Sequence, residues 1–222
     1  MPFWFGRRTG TRVLIEGADA QHLAGPLRAR PGELIQVVEP EGRLLEVRLT
    51  LVSKLAVEGE VLSERPHHPE PARPVWLAVA MLPASSLELI LSRCTEAGAA
   101  GFLLVQAERS IARGAKAERW ATICREASML AGRLRVPQVR GPAAFAEVFG
   151  SSVNPWLLQR GSDRALGPGS DQVTLFIGPE GGWSPAELEL AGERTLGLGP
   201  RNLRADTAAL VALARAVDGG GG

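Results

Sequence analysis

A chain of 222 residues with 45% hydrophobic residues is long enough for two compact domains with ordinary soluble cores. Its formal net charge of +1 argues against a wholly basic nucleic-acid-binding protein. No apolar run reaches the ~18 residues of a membrane-spanning helix, and the N-terminus lacks the order of a secretory signal, so we expect a cytoplasmic protein with no membrane partner.

The first part of the chain reads as short strands joined by turns. Strand-like alternation of apolar and polar residues occurs at residues 11–16, 33–38, 43–49 and 57–62. One helical piece at residues 19–24 interrupts the strands. Several short strands with tight turns predict a small β-barrel over residues 1–70. The four prolines within residues 65–74 predict an extended linker, in which we interpret His67 and His68 as linker residues.

From Val75 onward, strands and helices alternate, which predicts a mostly parallel sheet covered by helices over residues 75–222. Predicted strands lie at residues 75–81, 102–106, 136–139, 156–159 and 173–177. A capping box from Ser85 to Glu88 and a stop at Gly98 bound the first predicted helix. The helix at residues 116–131 is expected to bury a single face, made of Trp120, Ile123, Cys124, Ala127, Leu130 and Ala131. Ligands of such sheets bind beyond the carboxyl ends of the strands.

Several residue types are missing where catalytic devices would need them. The only histidines, His22, His67 and His68, precede the predicted α/β domain, which disfavours a Ser-His or Cys-His nucleophile there. Cys94 and Cys124 lie inside predicted helices without metal-ligand spacing. We therefore interpret both as buried thiols and expect no metal site.

Positive charge is concentrated in residues 108–140. This segment carries eight basic residues and three acids, and nearly all basic residues of the chain are arginines. Arginine suits bidentate phosphate contacts and stacking on bases. A phosphate-facing surface is the favoured interpretation, with an ordinary solvated face, or an arginine excess from codon bias, as the alternative.

A glycine-rich loop at residues 178–182 follows the best strand of the chain. Glycines after a buried strand allow a sharp turn and let a ligand touch the main chain, although a tight turn that only packs is the alternative. Ser184 and Glu187 then fit a capping box with Pro185 at the first helical position, so the helix N-terminus is already partly satisfied. Because neither a GK[ST] nor a GxGxxG motif is present, a phosphate-binding nucleotide site is not supported.

A second loop with the same pattern covers residues 198–209. Gly199 and a proline follow apolar residues, and an alanine-rich helix follows the loop. Arg201 and Arg204 could hold an anionic substrate beside a pocket. Equally, they could cap the carboxyl ends of helices or pair with Glu180 and Asp206.

Together these two loops resemble one known family. Ile-Gly-Pro-Glu-Gly-Gly at residues 177–182, followed by Trp-Ser-x-x-Glu, and Leu-Gly-x-Arg-x-Leu-Arg-x-Asp-Thr-Ala-Ala at residues 198–209 are similar to the C-terminal motifs of RsmE-type methyltransferases, a family of the SPOUT class. Further similar blocks lie at residues 22–33, 95–98, 108–110 and 126–137. The likeness therefore spreads over nearly the whole chain.

Members of this family methylate N3 of a uridine in 16S ribosomal RNA. The resemblance implies a PUA-like β-barrel over residues 1–70 that helps bind RNA, and a SPOUT α/β trefoil-knot domain over residues 75–222. It also implies S-adenosylmethionine as cofactor, 16S rRNA of the small ribosomal subunit as partner, and a homodimer. The alternatives are a SPOUT methyltransferase of another RNA position, such as a ribose 2′-OH, and a catalytically reduced RNA-binding or assembly factor.

The resemblance also implies residue roles. Methyl transfer is an in-line displacement at a sulfonium, so the protein must position donor and acceptor and help remove the uracil N3 proton. Arg204, and after it Arg201, are the candidates for stabilising the uracil anion, and Asp206 and Glu180 for the carboxylate role. Predicted RNA-binding residues are Arg28, Arg30, Arg109, Arg113 and Arg133. Predicted cofactor-binding residues are Ile177, Gly178, Pro179, Glu180, Gly181, Gly182, Leu198, Gly199, Leu203, Arg204, Thr207 and Ala208.

Departures from the family pattern lie outside the glycine-rich loop. Asp206 stands where the family usually has Glu, and Asn202 replaces an apolar residue. Ala84 stands where a Lys is common, and Leu130 and Ala131 replace polar residues. We expect these changes to affect target specificity and rate more than cofactor binding.

Overall fold

The computed structural model of the chain describes residues 2–167, 169 and 171–218. Met1 and residues 219–222, at the ends of the two predicted domains, lie outside the described residues, as do Pro168 and Ser170 of a predicted polar loop. The chain divides into two compact units. The first runs through Glu70 and adds Ser128–Arg135, and the second holds Pro71–Ala127 and the chain from Val136 onward.

The first unit is a six-stranded, mainly antiparallel sheet with one helix. Its elements are β1 (Phe3–Phe5), β2 (Arg7–Thr9), β3 (Arg12–Glu16), α1 (Gly17–Ala24), β4 (Leu34–Glu39), β5 (Arg43–Val52) and β6 (Ala56–Pro66). The strand order is β1-β4-β5-β6-β3-β2, with only β1 and β4 parallel. The four predicted strands and the helix are confirmed. The strands β1 and β2 were missed, because three residues are too few to show an alternation.

Alternation decides which side chains enter the core of this unit. Along β5, Leu45, Val47 and Leu49 are buried while the residues between them are exposed. They pack with Trp4 and Leu23 in one apolar cluster. The buried face thus matches the period-2 pattern that predicted these strands.

A short segment from the middle of the chain completes the first unit. The guanidinium of Arg133 donates to the carboxylate of Glu70, with Nε 3.1 Å from Oε2, and the backbone N–H of Leu134 donates to Oε1 at 2.9 Å. Nε2 of His67 lies 2.6 Å from the carbonyl oxygen of Gly132, and its ring stacks on Phe3. His67, interpreted from the sequence as a linker residue, is therefore held by specific contacts.

The second unit is a parallel α/β sheet, as predicted. Its strands are β7 (Val75–Ala80), β8 (Gly101–Gln106), β9 (Gln138–Ala144), β10 (Pro155–Leu158), β11 (Val173–Ile177) and β12 (Thr195–Leu196), in the order β12-β10-β11-β7-β8-β9. Its helices are α2 (Ala84–Glu96), α3 (Ala117–Ala131), α4 (Phe145–Ser151), α5 (Pro185–Ala191) and α6 (Ala205–Asp218). Every strand pair is parallel.

Apolar side chains cover both faces of this sheet. Leu77 and Val79 of β7 enter a cluster with residues of α2, α3 and α6, whereas Ala78 and Ala80 enter a second cluster with residues of α4 and α5. All five residues of β11 are buried. Burial on both faces explains why these strands read as continuous apolar runs.

Two local predictions are wrong. The helix α2 begins at Ala84, and Pro83 at its N-cap provides no side-chain hydrogen bond. Ser85 therefore lies inside the first turn and forms no capping box. The predicted buried face of α3 is wrong in the last turn of the helix, where Leu130 is 63% exposed and Ser128 and Met129 are buried instead. Met129 belongs to the core of the first unit, which explains the change of face.

The predicted helix stop at Gly98 and the predicted burial of both cysteines are confirmed. Gly98 follows α2 with a φ of +98°, as expected of a helix stop. Cys94 and Cys124 are both buried, and neither forms a disulfide. Among the described residues, no helix is both long and apolar enough to cross a membrane.

Candidate functional site

The two predicted loops lie at the same edge of the second sheet. One follows β11 and the other follows β12, and both strands run parallel to β10 between them. The loops line one cavity of about 740 Å³. Its further walls come from Gln159 and Arg160 after β10, and from Arg109 after β8. This is the carboxyl edge of a parallel sheet, where ligands of α/β folds bind.

Most of the predicted cofactor-binding residues line this cavity. The exception is Thr207, which lies one residue beyond Asp206 in the first turn of α6. Arg201 and Arg204 line the cavity, but Asp206 does not. The lining residues that were predicted are Ile177, Gly178, Pro179, Glu180, Gly181, Gly182, Leu198, Gly199, Leu203, Arg204 and Ala208.

The glycine-rich loop is held by local contacts. The N–H of Gly182, whose φ is +69°, donates to the carbonyl of Pro179 at 2.8 Å and closes a turn. A Cβ on Gly178 would lie 3.0 Å from the ring of Trp183. That indole donates from Nε1 to the carbonyl of Leu158 at 3.1 Å, so the loop is tied to the end of β10.

The predicted capping box of α5 is confirmed and has an additional partner. Oε2 of Glu187 accepts from the N–H of Ser184 at 2.8 Å, and the N–H of Glu187 donates to Oγ of Ser184 at 3.3 Å. Oε1 of the same carboxylate accepts from the N–H of Glu108 at 2.9 Å. Nη1 of Arg109 donates to the carbonyl of Gly181 at 2.8 Å. Two adjacent residues after β8 are thus bonded to the glycine-rich loop and its helix.

The two arginines of the second loop are available to a ligand. Arg201 and Arg204 are exposed, and neither forms an ion pair with any residue that the structure describes. Pairing with Glu180 or Asp206, one of the three interpretations left open by the sequence, does not occur in this structure. Oδ1 of Asp206 instead accepts from the N–H of Thr207 at 2.7 Å in the first turn of α6.

The cavity combines apolar walls with positive charge. Leucines from β10, β12, α5 and the second loop line it beside the backbone of the glycine-rich loop. Its charged lining residues are four arginines, at positions 109, 160, 201 and 204, against the single acid Glu180. The described residues contain no cluster of His, Cys, Asp or Glu that could hold a metal ion. Such a cavity suits an organic ligand with an apolar part and an anionic group.

Part of the lining was not predicted. Gln159 and Arg160 follow β10, and Trp183 and Asn202 complete the two loops. Gln159 and Arg160 could have been predicted as lining residues from their position at the carboxyl end of a predicted strand. Sequence spacing did not show that β10 lies between β11 and β12.

The predicted RNA-binding arginines lie in different environments. Arg28, with a φ of +51°, and Arg30 are exposed in the first unit, and Arg113 is exposed in the segment after β8. Arg133 is only 4% exposed and bonded to Glu70, so its geometry favours a structural role. None of these four lines the cavity, unlike Arg109.

Two of the departures from the family pattern are exposed and outside the cavity wall. Ala84 is exposed at the start of α2, and Leu130 is exposed near the end of α3. Neither Ala131 nor Asp206 is among the cavity-lining residues. Of the departures named from the sequence, only Asn202 lies among the cavity-lining residues.

Comparison with known proteins decides the family. The RNA methyltransferase domain family matches residues 68–217. The chain is 33% identical to the ribosomal RNA small subunit methyltransferase E of Mycobacterium bovis, over 92% of this chain and 86% of that protein. The chain belongs to this RsmE-type family of RNA methyltransferases.

Two solved structures of methyltransferases share the fold. The methyltransferase E of Neisseria gonorrhoeae, solved bound to S-adenosylmethionine, is 28% identical with a TM-score of 0.86, covering 96% of this chain and 95% of that one. A Legionella pneumophila protein solved with the same cofactor is 25% identical with a TM-score of 0.84, covering 96% and 94%. The predicted family resemblance is confirmed.

Proposed function

We propose that this RsmE-type chain uses S-adenosylmethionine to methylate N3 of a specific uridine in 16S rRNA of the small ribosomal subunit. The observation that carries this proposal is the single cavity lined by both family motifs at the carboxyl edge of the sheet. The ribosomal RNA substrate in the names of its relatives supports it. The two similar structures with bound S-adenosylmethionine support the choice of cofactor.

The residues of the cavity fit this cofactor. Its volume of about 740 Å³ is within the usual range for small-molecule sites, roughly 300–1,000 Å³. The glycine-rich loop leaves main chain accessible to a flat adenine ring, and the leucines supply apolar walls. Arginines at the wall suit the carboxylate of the cofactor. The bound cofactor would supply a methyl group already activated on a positively charged sulfur.

Arg204 and Arg201 are proposed to act on the acceptor. Uracil N3 must lose its proton before it can accept a methyl group, and positively charged donors stabilise the resulting anion. Both arginines line the cavity, and neither is engaged in an ion pair within the described part of the chain. Their N–H groups are thus available to an anionic base.

Of the two candidate carboxylates, Glu180 is better placed to take the proton. It is exposed and lines the cavity. Asp206 does not line it, and one of its oxygens bonds the N–H of Thr207. We therefore assign Asp206 to the start of α6 and Glu180 to proton removal.

The finer architecture forms part of the same proposal. We infer a trefoil knot in the second unit, formed by the Gly178 and Leu198 loops, and a homodimer that completes the site. The strand order supports the knot. After β10 the chain forms β11 on one side of that strand, and then crosses to form β12 on its other side. We further infer that the first unit is a PUA-like barrel that contacts RNA through Arg28 and Arg30, which are exposed.

Methylation of small ribosomal subunits that lack the mark tests the function. The purified protein and S-adenosylmethionine are incubated with such subunits, and the nucleosides are analysed by mass spectrometry. N3-methyluridine is the expected product, and a ribose-methylated nucleoside would instead identify another SPOUT activity. Absence of both the product and calorimetric cofactor binding would favour a non-catalytic RNA-binding or assembly factor.

A further inference from the structure

The carboxylate of Glu187 does more than cap a helix. A capping box requires one carboxylate oxygen, which accepts from the N–H of the N-cap residue. In this chain Oε2 serves that bond to Ser184, while Oε1 accepts from the N–H of Glu108, 79 positions away in sequence. The side chain of Glu187 is buried, and its bond to Ser184 is buried while its bond to Glu108 is partly buried.

The residue next to Glu108 is a wall of the cavity. Nη1 of Arg109 donates to the carbonyl of Gly181. If Gly181 carried a Cβ, that atom would lie 3.6 Å from both Cβ and Cδ of Arg109. A guanidinium has five N–H donors, and only Nη1 is bonded to another described residue. The remaining donors are available to a ligand.

We propose that Glu187 is a positioning residue that holds Arg109 at the cavity wall, where the guanidinium binds an oxyanion of the cofactor or the RNA. This inference rests on the proposed function for the identity of the ligand. Arg109 lies in a turn after β8 and directly precedes a segment without regular structure from Ser110 to Lys116. The bond from Glu108 to Glu187 fixes the start of that segment, and the bond from Arg109 to Gly181 sets the direction of the side chain.

The substitution Glu187→Gln tests the need for two acceptors. Glutamine has the shape of glutamate but only one acceptor oxygen, so one of the two backbone N–H groups must lose its bond. The matched control is Ser184→Ala, which removes the hydroxyl of the same capping box and leaves both carboxylate bonds in place. If Glu187→Gln does not fold, Glu187→Asp keeps the charge and is too short to reach both donors.

Amide hydrogen exchange of the ligand-free protein gives the first readout. The N–H of Glu108 should exchange at least tenfold faster than in the parent in at least one of Glu187→Gln and Glu187→Asp, and remain protected in Ser184→Ala. This measurement needs no methyl transfer, so it separates failure of the inference from failure of the proposed function. Unchanged protection of Glu108 in both Glu187 variants would overturn the inference.

Binding of S-adenosylmethionine and of small-subunit rRNA gives the second readout. We expect Arg109→Ala to weaken one of these by about tenfold, the effect of one lost charge-assisted hydrogen bond. Glu187→Gln should weaken the same ligand, and the double variant should be no worse than Arg109→Ala alone. Multiplicative effects of the two substitutions, or no effect of Arg109→Ala on either ligand, would contradict the inference.

A cofactor analogue identifies the oxyanion. 5′-Methylthioadenosine lacks the amino-acid carboxylate of S-adenosylmethionine. If Arg109 binds that carboxylate, Arg109→Ala weakens S-adenosylmethionine and spares the analogue. If Arg109 binds an RNA phosphate, both small molecules bind as before, and the salt dependence of RNA binding falls by about one counterion.

Discussion

Gly181 differs from its neighbouring glycines in what a side chain would meet. A Cβ there would make only ordinary contacts with Arg109 at 3.6 Å, whereas a Cβ on Gly178 would press on Trp183 at 3.0 Å. Gly182 has a φ of +69°, which disfavours any other residue. Gly181 is therefore the glycine of this loop at which a side chain can test the cavity without unfolding the loop.

We expect Gly181→Val to abolish cofactor binding while the protein stays folded. The two methyl groups on Cβ must lie against Arg109 or in the cavity that Gly181 lines. Calorimetry with S-adenosylmethionine and a thermal unfolding curve measure the two effects. Gly181→Ala, whose single methyl group fits, is the control, and parental affinity in the valine variant would show that this glycine only turns the chain.

Arg204→Ala is expected to lower kcat by roughly 10²–10³-fold, the usual effect of removing one donor to a developing anion. The fold should be preserved, because the side chain is exposed and has no ion pair with a described residue. The affinity for S-adenosylmethionine should also be preserved, because we assign this guanidinium to the uracil anion and not to the cofactor. Its carbonyl, which accepts from Ala208 in α6, is unaffected by the substitution. Single-turnover rates measure the effect, and an unchanged rate would reassign Arg204 to structure.

Cys94 should be inert to thiol reagents in the folded protein. Complete burial raises the pKa of this thiol to about 12. The unfolded thiol ionises near its ordinary pKa of ~8.5 while the native one stays protonated, so folding stability falls as pH rises between those values, by about 1.4 kcal/mol per pH unit. Urea unfolding at pH 8 and pH 10 measures this loss, which should shrink in Cys94→Ala.

At the scale of elements, the segment Ser128–Arg135 is where sequence pattern and structure diverge. The helical period continues through α3, yet its last turn exposes Leu130 and buries Ser128 and Met129. The following residues bond to Glu70 through Arg133 and Leu134. A helix that changes neighbours partway along its length changes its buried face, and a single-helix period cannot show where.

Arg133→Ala should destabilise the protein by roughly 2–3 kcal/mol. Glu70 would then lose its charged partner and keep the N–H of Leu134. Because its side chain is 28% exposed, the cost stays below the ~3–5 kcal/mol of fully buried pairs. The exposed Arg135 is the matched control, and Arg135→Ala should change the free energy of unfolding by less than about 0.5 kcal/mol. If Arg133→Ala instead loses little stability but binds RNA more weakly than the parent, Arg133 would be an RNA-binding residue, as the sequence predicted.

At the scale of the whole molecule, the arrangement of charge matters more than its sum. The net charge is only +1, yet Arg113 and the cavity-lining Arg201 and Arg204 are exposed and form no ion pair with a described residue. RNA binding by such a protein releases counterions, so its affinity should fall steeply with salt concentration. Because the net charge is small, we expect a variant that lacks these arginines to bind RNA weakly.

The substitution Arg113→Ala tests this distribution. We expect it to weaken RNA binding and to reduce the salt dependence by about 0.7–0.9 counterions, the contribution of one phosphate contact. Arg93→Ala on α2 removes the same charge from an arginine that is paired with Glu96, and serves as the control. Equal slopes for the two variants, measured by filter binding across a salt series, would show that net charge alone decides affinity.

Much of the architecture was predictable because local patterns carry it. Buried strands such as β11 are continuous apolar runs, and the half-buried strand β5 alternates. The cap formed by Ser184 and Glu187 depends on residues three positions apart, so spacing alone reveals it. The predicted capping box at Ser85 is wrong because α2 begins at Ala84, one residue before Ser85. The Ser-x-x-Glu spacing that predicted the box can also occur inside a helix.

Local sequence patterns were enough to predict the α/β and β-rich halves, the two motif loops and the family. The three-dimensional fold was needed to show that β10 lies between β11 and β12, which brings Gln159 and Arg160 to the cavity. It also decided that Glu187 bonds to Glu108, and that Arg133 holds Glu70 rather than facing solvent. These pairings join residues that are 79 and 63 positions apart. Local pattern reports the conformation of neighbouring residues, whereas contacts between distant residues depend on the order in which strands assemble.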